Sequence, residues 1–265
     1  MTSYQIDLCY VGTNFHGWQS QPSGNTVQDH LEKALSTFLR EPTKVISSSR
    51  TDSGVHAEHQ VVMFNSDQVF KQERLLKGVN ALLPHEIKLQ HIKIAPPDFH
   101  PITSSKGKLY RYRIWTSPAP NPFIADFVWP VRNLNLEHML FAVNDLLGKH
   151  NFKSFCAKDG SSKTFERNIV DIKIVQTRNW IDIFVLGEGF LKQMVRNMVG
   201  TLVDIGLGKI DKGVIPSILE ARDRQKAGRT APATGLSLVY VYLESLPKKI
   251  DTEGFSSEYM SFRII

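Results

Sequence analysis

The sequence predicts an α+β fold: two similar halves, a largely antiparallel mixed sheet, helices packed on one side, and an active-site cleft between the halves. Three observations predict it. Short runs alternate apolar and polar residues, as half-buried strands do. Between them stand runs with apolar residues at helical spacing. Both kinds occur twice over and are joined by hairpin-like turns, without the regular strand–helix alternation of a parallel sheet. The first half is expected over residues 1–105 and the second over 106–245, with a weakly patterned tail over 246–265.

The elements follow in order. YQIDLCY (4–10) alternates Tyr4, Ile6, Leu8 and Tyr10, a strand ended by Gly12 and Asn14. TVQDHLEKALSTFLR (26–40) carries Val27, Leu31, Ala34, Leu35, Phe38 and Leu39 on one helical face, and Thr26 with Asp29 resembles a capping signal. Two strands, 43–49 and 58–65, flank a polar loop. RLLKGVNALLP (74–84) reads as a helix stopped by Pro84, and IKLQHIKI (87–94) as a strand with a slip in its alternation. KLYRYRIW (108–115) then alternates strictly, and LEHMLFAVNDLLG (136–148) reads as a helix closed by a Gly. IVDIKIVQ and WIDIFVLG form a hairpin around Thr177–Asn179. FLKQMVRNMVGTLVDIG (190–206) is a strong amphipathic helix, and GLSLVYVYLE (235–244) a last strand.

Composition narrows the class. Hydrophobic content of 42% and charged content of 22% over 265 residues suit a globular chain that folds without disulfides or metal. Its two cysteines, Cys9 and Cys156, make no C-x-x-C pair, which excludes a disulfide framework and fits a reducing compartment such as the cytoplasm. The start lacks a signal-peptide pattern, and no apolar run is long enough to span a membrane. A net charge of +6 suggests a polyanionic partner. Basic residues cluster at Lys106, Lys108, Arg111 and Arg113, at Lys158, Lys163 and Arg167, and at Arg222, Arg224, Lys226 and Arg229. The plain alternative is that these are solvated faces.

The short G-x-G pieces at 187–189 and 206–208 complete neither a dinucleotide fingerprint nor a P-loop, so no cofactor is expected. The His56–His59 spacing raises a metal pair as one reading, but three residues apart on a strand they point to opposite faces, and no metal is expected either. The loop SSSRTDSGVHAEHQ (47–60) is more informative. Asp52 stands between Arg50 and Gly54 at its tip. A buried Asp needs a cation from elsewhere to stay ionised. Arg196, on the flank of the 190–206 apolar stripe, is one candidate, and a surface Arg the other reading. Tyr110 and Tyr112 share a strand face. Either both are core residues, or one ring stacks on a nucleobase.

Those residues lie in motifs that resemble the bacterial tRNA pseudouridine synthase A family. RTDSGVHA (50–57) resembles its signature. The likeness extends through YVGTNFHGWQSQP, TVQDHLEKAL, FNSDQ, LLKGVNALLP, FHP, KLYRYRI, FKSF, GFLKQMVRNMVGTLVDIGLG and APATGLSLVYVYL, in order, over about residues 4–244. The resemblance implies that Asp52 is the nucleophile and that Arg196 pairs with it. It implies that Tyr110 stacks on the target uracil and that Arg50 holds the place or the backbone of the flipped-out nucleotide. Thr51 and His56 of the same signature are further expected substrate contacts. The substrate is then tRNA, at uridines near positions 38, 39 and 40 of the anticodon stem-loop, handled by a homodimer without metal or cofactor. Two departures stand out. Ser47, Ser48 and Ser49 replace small glycine-rich residues before the signature, and Ile102 stands where the family commonly has Arg. The competing readings are a non-catalytic RNA-binding protein or tRNA chaperone, and a metal hydrolase using His56, His59 and Asp52.

Overall fold

A computed structural model describes residues 1–160 and 162–252. The expected tail therefore lies, beyond residue 252, outside the described residues. The first strand, β1 (Thr2–Tyr10), buries Tyr4, Ile6, Leu8 and Tyr10, as its alternation requires. Helix α1 (Val27–Leu39) starts with a full capping box: Thr26 accepts from the Asp29 backbone N–H, and the Asp29 side chain accepts from that of Thr26. Such a cap contributes about 1 kcal/mol. Val27, Leu31, Ala34, Leu35 and Leu39 of α1 are buried against the sheet.

Next come β2 (Val45–Ser47), β3 (His56–Ser66), α2 (Gln72–Leu82) and β4 (Ile87–Ile94). The slip in the β4 pattern is a bulge: Asp7 pairs with His91 but Leu8 with Leu89. Then follow β5 (Gly107–Trp115), the short β6 (Trp129–Pro130), α3 (Leu136–Val143), β7 (Gly148–Asn151), β8 (Glu166–Gln176), β9 (Trp180–Gly187), α4 (Met194–Gly206), α5 (Ile215–Ala221) and β10 (Leu236–Tyr242).

These strands form one sheet in the order β4-β1-β3-β10-β5-β9-β8-β7, with β2 beside β3 and β6 beside β5. Most pairs are antiparallel, while β10 runs parallel to β3 and β6 parallel to β5. Thus β10, the last strand among the described residues, joins β3 to β5. The main core lies between one sheet face and the helices. A smaller cluster on the opposite face, around Leu109, Phe184, Leu186 and Val239, is covered by Ile250 and Leu246.

Two expected elements differ. The 136–148 helix is α-helical only to Val143, continues as a 3-10 turn to Leu146, and Gly148, at φ 89°, opens β7 instead of capping a helix. The 190–206 helix begins at Met194, because Gln193 takes a left-handed φ of 58° and a turn precedes it, closed by Met194 N–H on the Leu191 carbonyl. Both ends were extended by apolar periodicity, which does not register a local turn.

Candidate active site

Asp52 lies on the loop between β2 and β3, and several contacts hold that loop from below. Gln60, fully buried on β3, donates from Nε2 to the Ser49 carbonyl and accepts the Ser48 hydroxyl at Oε1, each at 2.8 Å. The segment after β1 supports the other side. Trp18 N–H donates to the Thr51 carbonyl, and both Gly54 N–H and the Ser53 hydroxyl donate to the Phe15 carbonyl.

Two glycines make this close approach feasible. A Cβ on Gly12 would meet the Val55 carbonyl oxygen at 1.9 Å, and one on Gly17 would meet that of Thr51 at 2.8 Å. Gly17 also has φ 87°, which side chains rarely tolerate. From sequence Gly12 was read only as the end of a strand, and Gly17 and Gln60 were not singled out. A glycine's turn signal is visible in one chain, but the backbone pressed against it is not.

Arg196 reaches Asp52 from the opposite wall. Every residue of α4 except Arg196 is buried, so the helix is fixed on all sides and presents one side chain to the cleft. Arg196 Nη1 donates to Asp52 Oδ2 at 3.0 Å, while Nε donates to the Ala231 carbonyl at 2.8 Å. The Asp52 and Arg196 side chains are 20% and 14% exposed, dry enough for their attraction to outweigh that of a surface pair. Behind them the buried Asn197 ties α4 to the Phe155 carbonyl, Arg224 and Thr230. Gly200 lets the Arg229 backbone pack flush on the helix, since a Cβ there would meet its carbonyl at 1.8 Å.

The two tyrosines of β5 part company. Tyr112 is fully buried, its hydroxyl donating to the Pro232 carbonyl at 2.8 Å, and is a core residue. Tyr110 lines the cleft with its ring edge-on to Phe190 at 5.0 Å. Burial, and then the negative charge of Asp52, push the Tyr110 phenol well above its ordinary range, so it stays neutral. The cleft, about 1180 Å³, is bounded by the Asp52 loop, the 190–196 turn and helix start, and β5. That volume accommodates a nucleotide.

The remaining expected site residues are placed as follows. Arg50 is exposed and lines the cleft. Thr51 also borders it but is buried, and its hydroxyl is engaged with that of Tyr10 at 2.8 Å. His56 does not line the cleft. Its Nδ1 accepts from Gly12 N–H at 3.1 Å, and Nε2 faces the Asp126 and Thr234 carbonyls, so its ring braces three segments and offers no nitrogen to a substrate. Burial lowers its pKa and favours the neutral ring. Both nitrogens of His56, expected to meet the substrate, are turned toward backbone groups of the chain itself.

His59 points elsewhere, stacked on Tyr240 and 3.9 Å from Asp7. Among the described residues no group of three or more His, Cys, Asp or Glu could hold a metal ion, and no helix is long and apolar enough to cross a membrane. The basic cluster around β5 divides between faces. Arg111 pairs with Glu58 and Arg113 with Asp182 on one face, and Lys108 faces the cleft on the other.

Comparison with known proteins adds a separate line. The family described as tRNA pseudouridine synthase matches residues 9–102 and 142–242. The chain is 40% identical over 243 residues to tRNA pseudouridine synthase A of Acetivibrio thermocellus, covering 91% of this chain and 100% of that one. It is 41% identical to the protein of that name from Pelobacter propionicus, covering 91% and 99%, and 40% identical to that of Bacillus subtilis, covering 90% and 98%.

Proposed function

We propose, from the premise that this chain belongs to the tRNA pseudouridine synthase family, that the cleft isomerises uridine to pseudouridine in the anticodon stem-loop of tRNA, near positions 38, 39 and 40, with Asp52 as its nucleophile. The chain is an isomerase acting on tRNA. One observation carries the assignment of the site: a loop carboxylate and a helix guanidinium 3.0 Å apart, in a nucleotide-sized cleft walled by a tyrosine ring.

The reaction breaks the N1–C1′ bond, turns the uracil, and forms a C5–C1′ bond. The C5 proton leaves to solvent and N1 takes one up, so no electrons are exchanged. A carboxylate can attack ribose C1′, remove the C2′ proton, or add to uracil C6, and each route starts from the ionised form. Arg196 balances that charge without leaving the helix that holds it. The base must first leave its stack, at a cost of a few kcal/mol. Stacking on Tyr110 offsets about 1–3 kcal/mol of this, and Arg50, exposed at the loop tip, fills the vacated space. The enclosed cleft keeps the detached uracil beside C1′ while it turns.

We assign the same chain a homodimeric state, with one tRNA contacting both subunits, and a cytoplasmic location, where tRNA is present and Cys9 and Cys156 stay reduced. The test is incubation with an unmodified tRNA transcript tritiated at uridine C5. Tritium release, with pseudouridine found at positions 38 to 40, supports the reading. Binding without release would instead favour a non-catalytic RNA chaperone.

A further inference from the structure

Lys108 stands on β5 two residues before Tyr110, so strand alternation puts both side chains on the cleft face, about 7 Å apart along the strand. Leu109 between them belongs to the core of the opposite face. The partners of Lys108 across the sheet, Gly187 on β9 and Val241 on β10, carry no charge. Among the described residues the Lys108 ammonium has no ion pair, and its one hydrogen bond is a long one, 3.3 Å to the Ser105 hydroxyl.

The carboxylates that share the cleft are engaged elsewhere. Asp52 is held by Arg196, and Asp159 by Lys192. Arg50 and Arg167 are cations and Tyr110 is neutral, so none of these supplies a counter-charge. Burial alone acts on Lys108 and lowers its pKa to about 8. An ammonium held partly dry without an anion is costly, and an anionic ligand removes that cost.

We infer that Lys108 Nζ grips a phosphate oxygen of the nucleotide that enters the cleft, and so fixes the backbone while Tyr110 holds the base. The inference rests on the RNA-modifying reading above and adds the group that reads the nucleotide's backbone. A phosphate is the favoured anion because it brings a permanent full charge, which a compact ammonium binds well. It also raises the lysine's pKa back toward its ordinary value, so the ammonium keeps its proton to higher pH.

The experiment measures equilibrium binding of an unmodified tRNA transcript, with kcat and KM from tritium release in parallel, for wild type, Lys108→Met and Lys108→Arg. Lys108→Met is expected to raise Kd and KM about 10-fold, leave kcat within about threefold, and reduce the slope of log affinity against log salt by about one. Lys108→Arg restores most of the affinity. Wild-type affinity falls as pH rises through about 8 to 9.5, as Lys108 loses its proton, whereas Lys108→Arg stays level because a guanidinium remains charged. The pH comparison needs only wild type and the Arg variant, so it stands even if the Met variant folds poorly.

Unchanged Kd and salt slope in Lys108→Met would overturn the inference. So would a loss in kcat with KM intact, which would place the ammonium on the departing uracil. A wild-type chain that releases no tritium and binds no tRNA overturns the underlying reading instead.

Discussion

Arg196 Nη1 donates to Asp52 Oδ2 at 3.0 Å across 144 residues of chain, and the same guanidinium holds the Ala231 carbonyl through Nε. The pair joins the loop between β2 and β3 to helix α4. The carboxylate and its counter-charge therefore meet only when these two distant elements pack together.

Asp52→Asn keeps the loop's shape and removes the charge. Turnover should fall by about 10⁴-fold or more, with tRNA Kd within about threefold because phosphate contacts lie elsewhere. Retained tritium release in this variant rules out Asp52 as the nucleophile.

Arg196→Met should lower kcat by about 10²–10³-fold with a small change in KM. Arg196→Lys should recover only part, since one ammonium cannot reproduce a fork aimed at both Asp52 and Ala231. Full recovery with Lys would show that only the charge matters.

Tyr110→Phe keeps the ring and should stay within about threefold of wild type, whereas Tyr110→Ala should lose about 10–100-fold in kcat/KM, the equivalent of one stacking contact. If Phe is as impaired as Ala, the hydroxyl takes part in proton transfer.

Gly17→Ala puts a methyl 2.8 Å from the Thr51 carbonyl at a φ of 87°. It should cost about 1–3 kcal/mol of stability and displace the Asp52 loop, so that kcat falls about 10-fold or more. A variant with wild-type kcat and melting temperature would show that the loop yields freely.

His56 ties pH to folding. Burial lowers its pKa in the folded chain, while the unfolded chain keeps a value near 6.5. Below about 6.5 the unfolded state therefore binds more protons, and stability falls as pH drops from 7 to 5.5, by up to about 1.4 kcal/mol per pH unit for one such group. Urea unfolding of His56→Gln should show a shallower decline over that range. Parallel curves would mean that His56 does not contribute.

Most strands and helices were legible because burial on one face imposes a period that survives in one sequence, as in β1 and α1. The two-residue β6, the four-residue β7 and the seven-residue α5 were missed, being too short to show a period. His56 illustrates a different limit. Its position in the signature suggested a substrate contact, yet its direction depends on carbonyls from residues 126 and 234.

By itself the sequence determined the element types, the α+β class, and, through its motifs, the residue kinds the chemistry needs: an aspartate, an arginine and a tyrosine. The tertiary structure decided which groups meet. It chose Tyr110 over Tyr112 for the cleft, turned Lys108 inward while pairing Arg111 and Arg113 outside, and brought Arg196 to Asp52. Periodicity is a property of neighbouring residues and can be read locally. Contact between an ion and its partner depends on how distant segments pack.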